Sequence, residues 1–430
     1  MRHFLIVFLF LFVPQIQAQN NKTVEWINSN LIEIENSDPD TYLASFDKNI
    51  PEKFQNAKIF GFGETTHHGK EFFDIKAKFF KYLVKEENVK AFLMEESYIA
   101  ELGINEWISG GKGDIKTIAE NFSIYPWHTL EVVDLLQWMR NYNLNKRKVE
   151  QIRFYGIDIQ VVTDINERIR RFVKKYNLPV NDDLLSITDE SVNKKIDYKN
   201  ISSKWADEKN PKLRELKQII VESESTTTDI EEFKDIIRAI EYLIDYNFYI
   251  QNPTSQIRDL KMFENAKYII DNNTQNGKAF IWAHNEHINN LEMLSYGSGW
   301  TNLGAHLKNY YKENYYSVGF DFGIGDLRGY IVEKNKPNHW EVFTMNQPFK
   351  RTYSETLIKA NKDIYFIEMD KAIKDNSINF FSKKVKQLIL GGPGFNPKDY
   401  HLVNKKFSEM YDGLIFIKRI TVPNYKLNST

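Results

Sequence analysis

Cysteine is absent from this 430-residue chain, which excludes disulfides, thiolate metal ligands, a thiol nucleophile and lipid attachment to an N-terminal cysteine. Charge of one sign is not in excess either. Lys plus Arg number 57 against 58 for Asp plus Glu, so no overall field favours nucleic acid or an anionic membrane as partner. Long apolar runs are also missing: the one stretch that stands out, Phe4 to Val13, falls short of the roughly 20 residues needed to cross a bilayer. With Arg2 ahead of it and Pro14 and Ala18 behind, it has the layout of a signal peptide over residues 1–18, cut after Ala18. That layout predicts export, to the periplasm or beyond, and a mature chain with no membrane attachment. The strained G-x-S-x-G elbow of serine hydrolases is lacking too, because Ser298 in Tyr296-Gly-Ser-Gly-Trp300 has a tyrosine where the first glycine should stand. No repeat period is visible, and Gly391-Gly-Pro-Gly394 lacks the Lys and Ser or Thr of a phosphate cradle.

What is present is a series of short apolar runs between helical patterns. Strands are expected near Ala57–Gly63, Val89–Met94, Ile152–Ile157, Ala279–Ala283, Tyr316–Phe322, Ile364–Ile367 and Leu414–Ile417. Runs without polar alternation imply strands covered on both faces, hence an α/β fold with a mostly parallel central sheet flanked by helices. After the first strand, Phe72, Phe73, Lys76, Phe79, Phe80, Leu83 and Val84 fall at three- and four-residue spacing, the stripe of a helix lying on the sheet. Between the third and fourth strands the alternation stops, and helices are expected over Lys212–Glu222, Ile230–Asn247 and Gln256–Ile270, with Asp229 as a helix cap. Residues 161–276 therefore read as a helical insertion closing over the C-terminal strand ends, between core parts 19–160 and 277–430.

The strand ends carry the chemistry. Glu64, His67, His68 and Glu71 follow the first strand, Glu95 and Glu96 the second, Asp158 and Gln160 the third, and His284, Asn285 and His287 the fourth. In an open parallel sheet these ends share one crevice, so carboxylates and imidazoles from distant segments meet there. With thiol and serine nucleophiles excluded, activated water is the expected nucleophile. A neutral His67 held by Glu64 would take its proton, His284 or His287 would serve the oxyanion or leaving alcohol, and Arg258 would supply fixed positive charge. Trp127, after Pro126, is a candidate substrate wall. The expected substrate is a small-molecule ester or lactone. The same groups admit two other readings: a metal-dependent hydrolase in which Glu64-x-x-His67 and His284-x-x-His287 hold Zn, Mn or Fe, and a non-catalytic ligand-binding protein of the cell envelope. The spacing matches neither H-E-x-x-H nor a di-iron bundle, so no metal and no other cofactor is expected.

At these residues the chain resembles the erythromycin esterase family. The likeness rests on Gly63-Glu-Thr-Thr-His67 continuing to Glu71-Phe72-Phe73, Glu95 with Ser97, Asn105, Trp127 with Thr129 and Glu131, and Gly156-x-Asp158-x-Gln160. It continues through Arg258-Asp259 with Met262, Trp282-Ala-His-Asn-x-His287, and Gly304 with Leu307, in order from about Phe60 to Phe322. The resemblance implies a hydrolase opening macrolide lactones without a metal, with His67 as base, Glu64 as its partner and His284 and His287 as further essential groups. Two departures stand out: His68 where relatives commonly have Gly, and Lys76 where many have Arg.

Overall fold

Residues 21–98, 101–120, 122–162, 164–192, 201–291, 293–295 and 298–425 are described in the computed structural model. The leader expected over 1–18 lies outside them. Along the chain the strands are Ile32–Glu33 (β1), Ile59–Phe62 (β2), Ala91–Ser97 (β3), Arg153–Asp158 (β4), Ala279–Trp282 (β5), Met293–Ser295 (β6) and Ser298–Trp300 (β7), followed by Tyr315–Ile331 (β8), His339–Met345 (β9), Ile364–Glu368 (β10), Val385–Ile389 (β11), His401–Lys405 (β12) and Gly413–Ile420 (β13). All seven runs read from the sequence are strands of the main sheet.

That sheet is ordered β1-β10-β13-β8-β2-β5-β3-β4, with β9 paired to β8. From β13 to β4 every neighbouring pair is parallel. The alternation of the strands sorts side chains by type. Phe60, Phe62, Phe92, Met94, Phe280 and Trp282 share one core with Phe72, Phe73, Phe79 and Phe80 of the helix Lys70–Glu86 (α1). On the opposite face Ile59, Leu93, Ala279 and Ile281 meet Met262, Ala266 and Ile269 of the helix Ser255–Asn273 (α2). Within the first core Phe62 and Phe92 stack on Phe280 at 5.0 and 5.8 Å, contacts worth about 0.5–1.5 kcal/mol each beyond the area they bury.

Three features depart from the sequence reading. β10 joins antiparallel to β13, because an apolar run records burial on both faces and not strand direction. β8 continues past Phe322 to Ile331 and folds back as a hairpin with β9, whose alternating exposed residues gave no continuous run. The helix expected over Lys212–Glu222 begins earlier, at Trp205, and holds Pro211 within it. Packing of Leu213, Leu216 and Ile220 and the bond from Trp205 Nε1 to Asn247 Oδ1 at 2.9 Å outweigh the one backbone bond a proline forfeits.

Helices from Ile165 to Gln251 have their own apolar core, including Ile169, Phe172, Leu213, Phe233 and Ile240. Their seam with the sheet lies at the carboxyl end of β4, where the Tyr242 hydroxyl donates to the carbonyls of Asp158 and Val161 at 3.0 and 2.9 Å. Asp229 caps its helix through the amides of Glu231 and Glu232 at 3.1 Å. Among the described residues no helix is long and apolar enough to cross a membrane.

Candidate active site

β2, β5 and β3 lie side by side at the centre of the sheet and release their polar residues at one end. Gly63 sits where a Cβ would come within 2.1 Å of Asn285 Oδ1. Its bareness lets the Asn285 side chain bridge to the Phe320 amide and carbonyl at 3.0 and 2.7 Å, which locks the β2, β5 and β8 ends together. Gly156 serves β3 in the same way. A bulge between Met94 and Ser97 turns Glu95 and Glu96 in opposite directions, and a Cβ on Gly156 would collide with the Ser97 carbonyl at 2.1 Å. Both glutamates thus lie within β3 and not after it.

On the β2 side, Glu64 is fully buried and its Oε1 meets His67 Nδ1 at 2.8 Å. Its other oxygen is ion-paired with Lys76, a buried lysine in the apolar stripe of α1 that also lies 3.9 Å from the Trp282 ring centre. Burial pushes the Lys76 ammonium well below its ordinary value, with the Glu95 charge opposing. As an ion pair, Lys76 and Glu64 balance each other's charge. His67 therefore has no net-negative partner in contact to hold a proton. Burial pushes it down to about 3, against the opposing Glu95 carboxylate and with the other imidazoles assisting. A neutral His67 donates from Nδ1 to Glu64, and its Nε2 makes no hydrogen bond to any described residue.

The β3, β4 and β5 side is the reverse. His287 Nδ1 is 2.7 Å from Asp259 Oδ1 and its Nε2 is 3.2 Å from Glu95 Oε1. Burial disfavours the imidazolium, yet the two carboxylates outweigh it and raise His287 to about 10. Both ring nitrogens then donate, and the 3.1 Å approach of Arg258 Nη1 to Nε2 is a contact of two cations across a shared carboxylate rather than a hydrogen bond. Arg258 also grips Asp158 through Nε and Nη2 at 3.0 and 2.6 Å and Glu95 at 2.8 Å. Burial pushes Glu95 up, but His287, Arg258 and His67 hold it well below the ordinary carboxylate range. Asp259 is fixed in turn by Trp300 Nε1 at 2.8 Å and the Leu303 amide at 3.0 Å.

His284 lies between the two sides, its ring centre 5.2 Å from that of His67 in an edge-to-face arrangement. Its nitrogens are committed to the main chain: Nε2 lies 3.1 and 3.0 Å from the carbonyls of Thr65 and Leu390, and Nδ1 accepts from the Glu286 amide at 3.2 Å. Both nitrogens of His284 thus bond to the main chain, where the sequence reading expects one to serve an oxyanion or leaving alcohol. Trp127 is corrected from substrate wall to buried backing. Its ring stands 5.0 Å from His67, and its Nε1 donates to the Glu95 carbonyl at 3.2 Å.

Glu71 does not join the cluster. From the first turn of α1 it accepts the Thr421 amide at 2.6 Å and hydroxyl at 2.8 Å, holding the segment that follows β13. Glu96 points away too, to the Ser97 and Ser123 amides at 2.5 and 2.9 Å, and burial pushes it up to about 8. Sequence reasoning gave Lys76 only as a stripe position and a departure from the family, and Asp259 only within a motif. The signals were a lysine in an apolar stripe and an acid beside Arg258.

Glu64, His67 and Glu95 offer donor atoms within 4.8 Å of one another, the one candidate metal cluster among the described residues. The fit to a cation is poor. Glu64 is already shared between His67 and Lys76, and Glu95 between Arg258, His287 and the His284 amide at 2.7 Å. A divalent ion would have to displace positive groups that are already built in.

A model of the erythromycin esterase family matches residues 84–420. The match begins after the Gly63–His67 motif and runs well past Phe322, where recognisable motifs end. Erythromycin esterase type II of Escherichia coli is 24% identical over 322 residues, 69% of this chain and 76% of that one. A Bacillus cereus protein of known structure superposes with a TM-score of 0.78 at 22% identity, over 94% of this chain and 99% of that one. A histidine-to-asparagine mutant of the erythromycin esterase EreC in its open conformation gives 0.65 at 15% identity, over 90% and 97%. At these identities the structures speak for the fold.

Proposed function

This chain belongs to the erythromycin esterase family, and from that premise we propose that it hydrolyses a carboxylic ester or lactone with water activated by His67. The observation that carries the reading is the setting of His67: buried, clamped through Nδ1 to Glu64, which is itself ion-paired with Lys76, with Nε2 bound to no described residue and burial favouring the neutral ring. Such an imidazole accepts a proton from water without first losing one.

Water attacks the ester carbonyl as its proton passes to His67 Nε2. Glu64 takes up the Nδ1 hydrogen bond of the imidazolium that forms and so stabilises it. Arg258 and the charged His287, fixed by Glu95, Asp158 and Asp259, supply positive potential where the tetrahedral oxyanion develops. The His67 imidazolium then returns its proton to the departing alcohol oxygen. No metal is needed at any step, since the carboxylates a metal would use are occupied by cationic side chains.

Among esters and lactones a macrolide is the first to test, because the Escherichia coli relative is named for an erythromycin esterase. The leader pattern at residues 1–18 adds that hydrolysis takes place outside the cytoplasm. Incubation of purified protein with a macrolide and a panel of simple esters and lactones, followed by mass spectrometry, should show the gain of one water. Retained turnover in His67→Ala would rule out the assigned base. Stoichiometric binding without turnover by the wild type would favour a ligand-binding protein.

A further inference from the structure

Two segments of the site present one ring inward and one outward. The inward members, His67 and Trp127, touch each other. Their outward neighbours, His68 and Tyr125, both meet Trp340 of β9, at 4.9 and 5.7 Å between ring centres. Tyr425, at the end of the described chain, stacks on Tyr125 at 5.0 Å with 10° between the ring planes, and its hydroxyl lies 2.7 Å from His68 Nδ1. A second, aromatic layer thus adjoins the catalytic one, assembled from segments that no sequence motif connects.

Arg328 of β8 stands within this layer. Its guanidinium carbon is 4.3 Å from the Tyr425 ring centre, 4.9 Å from Trp340 and 5.0 Å from Tyr125, and Nη1 donates to the Tyr125 hydroxyl at 2.8 Å. Arg258, one layer in, is neutralised by Asp158 and Glu95. Arg328 forms no ion pair with any carboxylate of the described residues, although it is half-buried. Of the five in-plane N–H donors of its guanidinium one is used on the Tyr125 hydroxyl, and donors remain for an oxyanion at the edge that the rings do not cover.

We propose that Arg328 is a specificity-determining residue that receives an oxyanionic group, a carboxylate or phosphate, borne by the substrate at the mouth of the site. The inference rests on the ester-hydrolase reading above and names the substrate class within it. The three rings and the bond to the Tyr125 hydroxyl hold the guanidinium in place, so an anion reaching its edge meets donors already positioned. Substrates whose corresponding end is cationic meet like charge and are disfavoured. His68 takes part by holding both Trp340 and Tyr425, a contact that a glycine at this position could not make.

The test uses the purified protein and esters of one alcohol whose acyl chains end in methyl, carboxylate, phosphate or trimethylammonium. The wild type should favour an anionic end over methyl and place the cation last, and the preference should weaken with added salt. Arg328→Gln should lower the anionic-to-neutral ratio of kcat/KM by about tenfold or more, with Arg328→Lys between. Which anion gains most identifies the oxyanion. A folded Arg328→Gln that cleaves these esters with an unchanged ratio overturns the proposal. If the wild type cleaves none of them, the hydrolase reading falls only if the macrolide and lactone panel fails as well, and the anion site is judged by calorimetry with glutarate. Binding that disappears in Arg328→Gln upholds it, and no binding to the wild type overturns it.

Discussion

The β2 side of the site and the side built by β3, β4 and β5 use the same two kinds of group, yet they leave their histidines in opposite states. His67 contacts one carboxylate whose charge Lys76 has already balanced, and it stays neutral. His287 contacts two carboxylates and stays charged, with Arg258 beside it. Both rings are buried, so burial alone does not distinguish them. What distinguishes the surroundings of the two rings is the charge of their partners: Lys76, on a neighbouring helix, is ion-paired with the carboxylate beside His67.

The largest expected break in that comparison is His67→Ala. It removes the imidazole of the cluster whose Nε2 bonds to no described residue, and hydrolysis should fall by about 10²- to 10⁴-fold while the circular dichroism spectrum is kept. Lys76→Met attacks the asymmetry itself. An unbalanced buried Glu64 should cost about 3–5 kcal/mol in denaturant titrations. It should also raise the pKa of His67, so that the acid limb of the kcat/KM profile moves to higher pH; an unmoved limb would show that Lys76 does not set the state of His67.

Asp259→Asn works on the other side, removing one of the two carboxylates. Because His287 is raised from the ordinary 6.5 to about 10, its contribution to stability is complete below pH 6.5 and is lost as pH rises through 10. The variant should lose about 1.5–3 kcal/mol at pH 7 and show a flatter decline between neutral and alkaline pH in thermal melts. His67 has the reverse sign, since its pKa is lower folded than unfolded. Its neutral form favours the folded state fully above pH 6.5, and that contribution shrinks as pH falls towards 3. The smallest effect belongs to Glu71→Gln. It loosens the hold on Thr421 and should cost about 0.5–1.5 kcal/mol with kcat nearly unchanged, whereas a collapse of kcat would return Glu71 to the machinery.

The inner site was more legible in the sequence than its surroundings, for a physical reason. Glu64, His67, Glu95, Asp158, His284 and His287 sit on or just beyond strands whose apolar runs announce themselves, and parallel sheets gather such ends together. Glu71 was misplaced because closeness in sequence to His67 says nothing about which way the first turn of α1 faces. His284 and Trp127 were assigned by residue type, but their roles depend on main-chain partners such as the Leu390 carbonyl, which no local pattern reveals. The aromatic layer with Arg328 was invisible for the same reason: it joins β8, β9 and the chain after β13 to Tyr125, and none of these contacts leaves a period or a spacing behind.

The most direct test is nitrogen-detected NMR of the imidazoles from pH 4 to 9, with His67→Ala and His287→Ala used to assign the two rings. At pH 7 His67 should appear as the neutral Nδ1–H tautomer and His287 as a doubly protonated cation, neither crossing over near pH 6.5. A charged His67 at neutral pH, or two rings titrating together near 6.5, would contradict the division of labour on which the reaction depends.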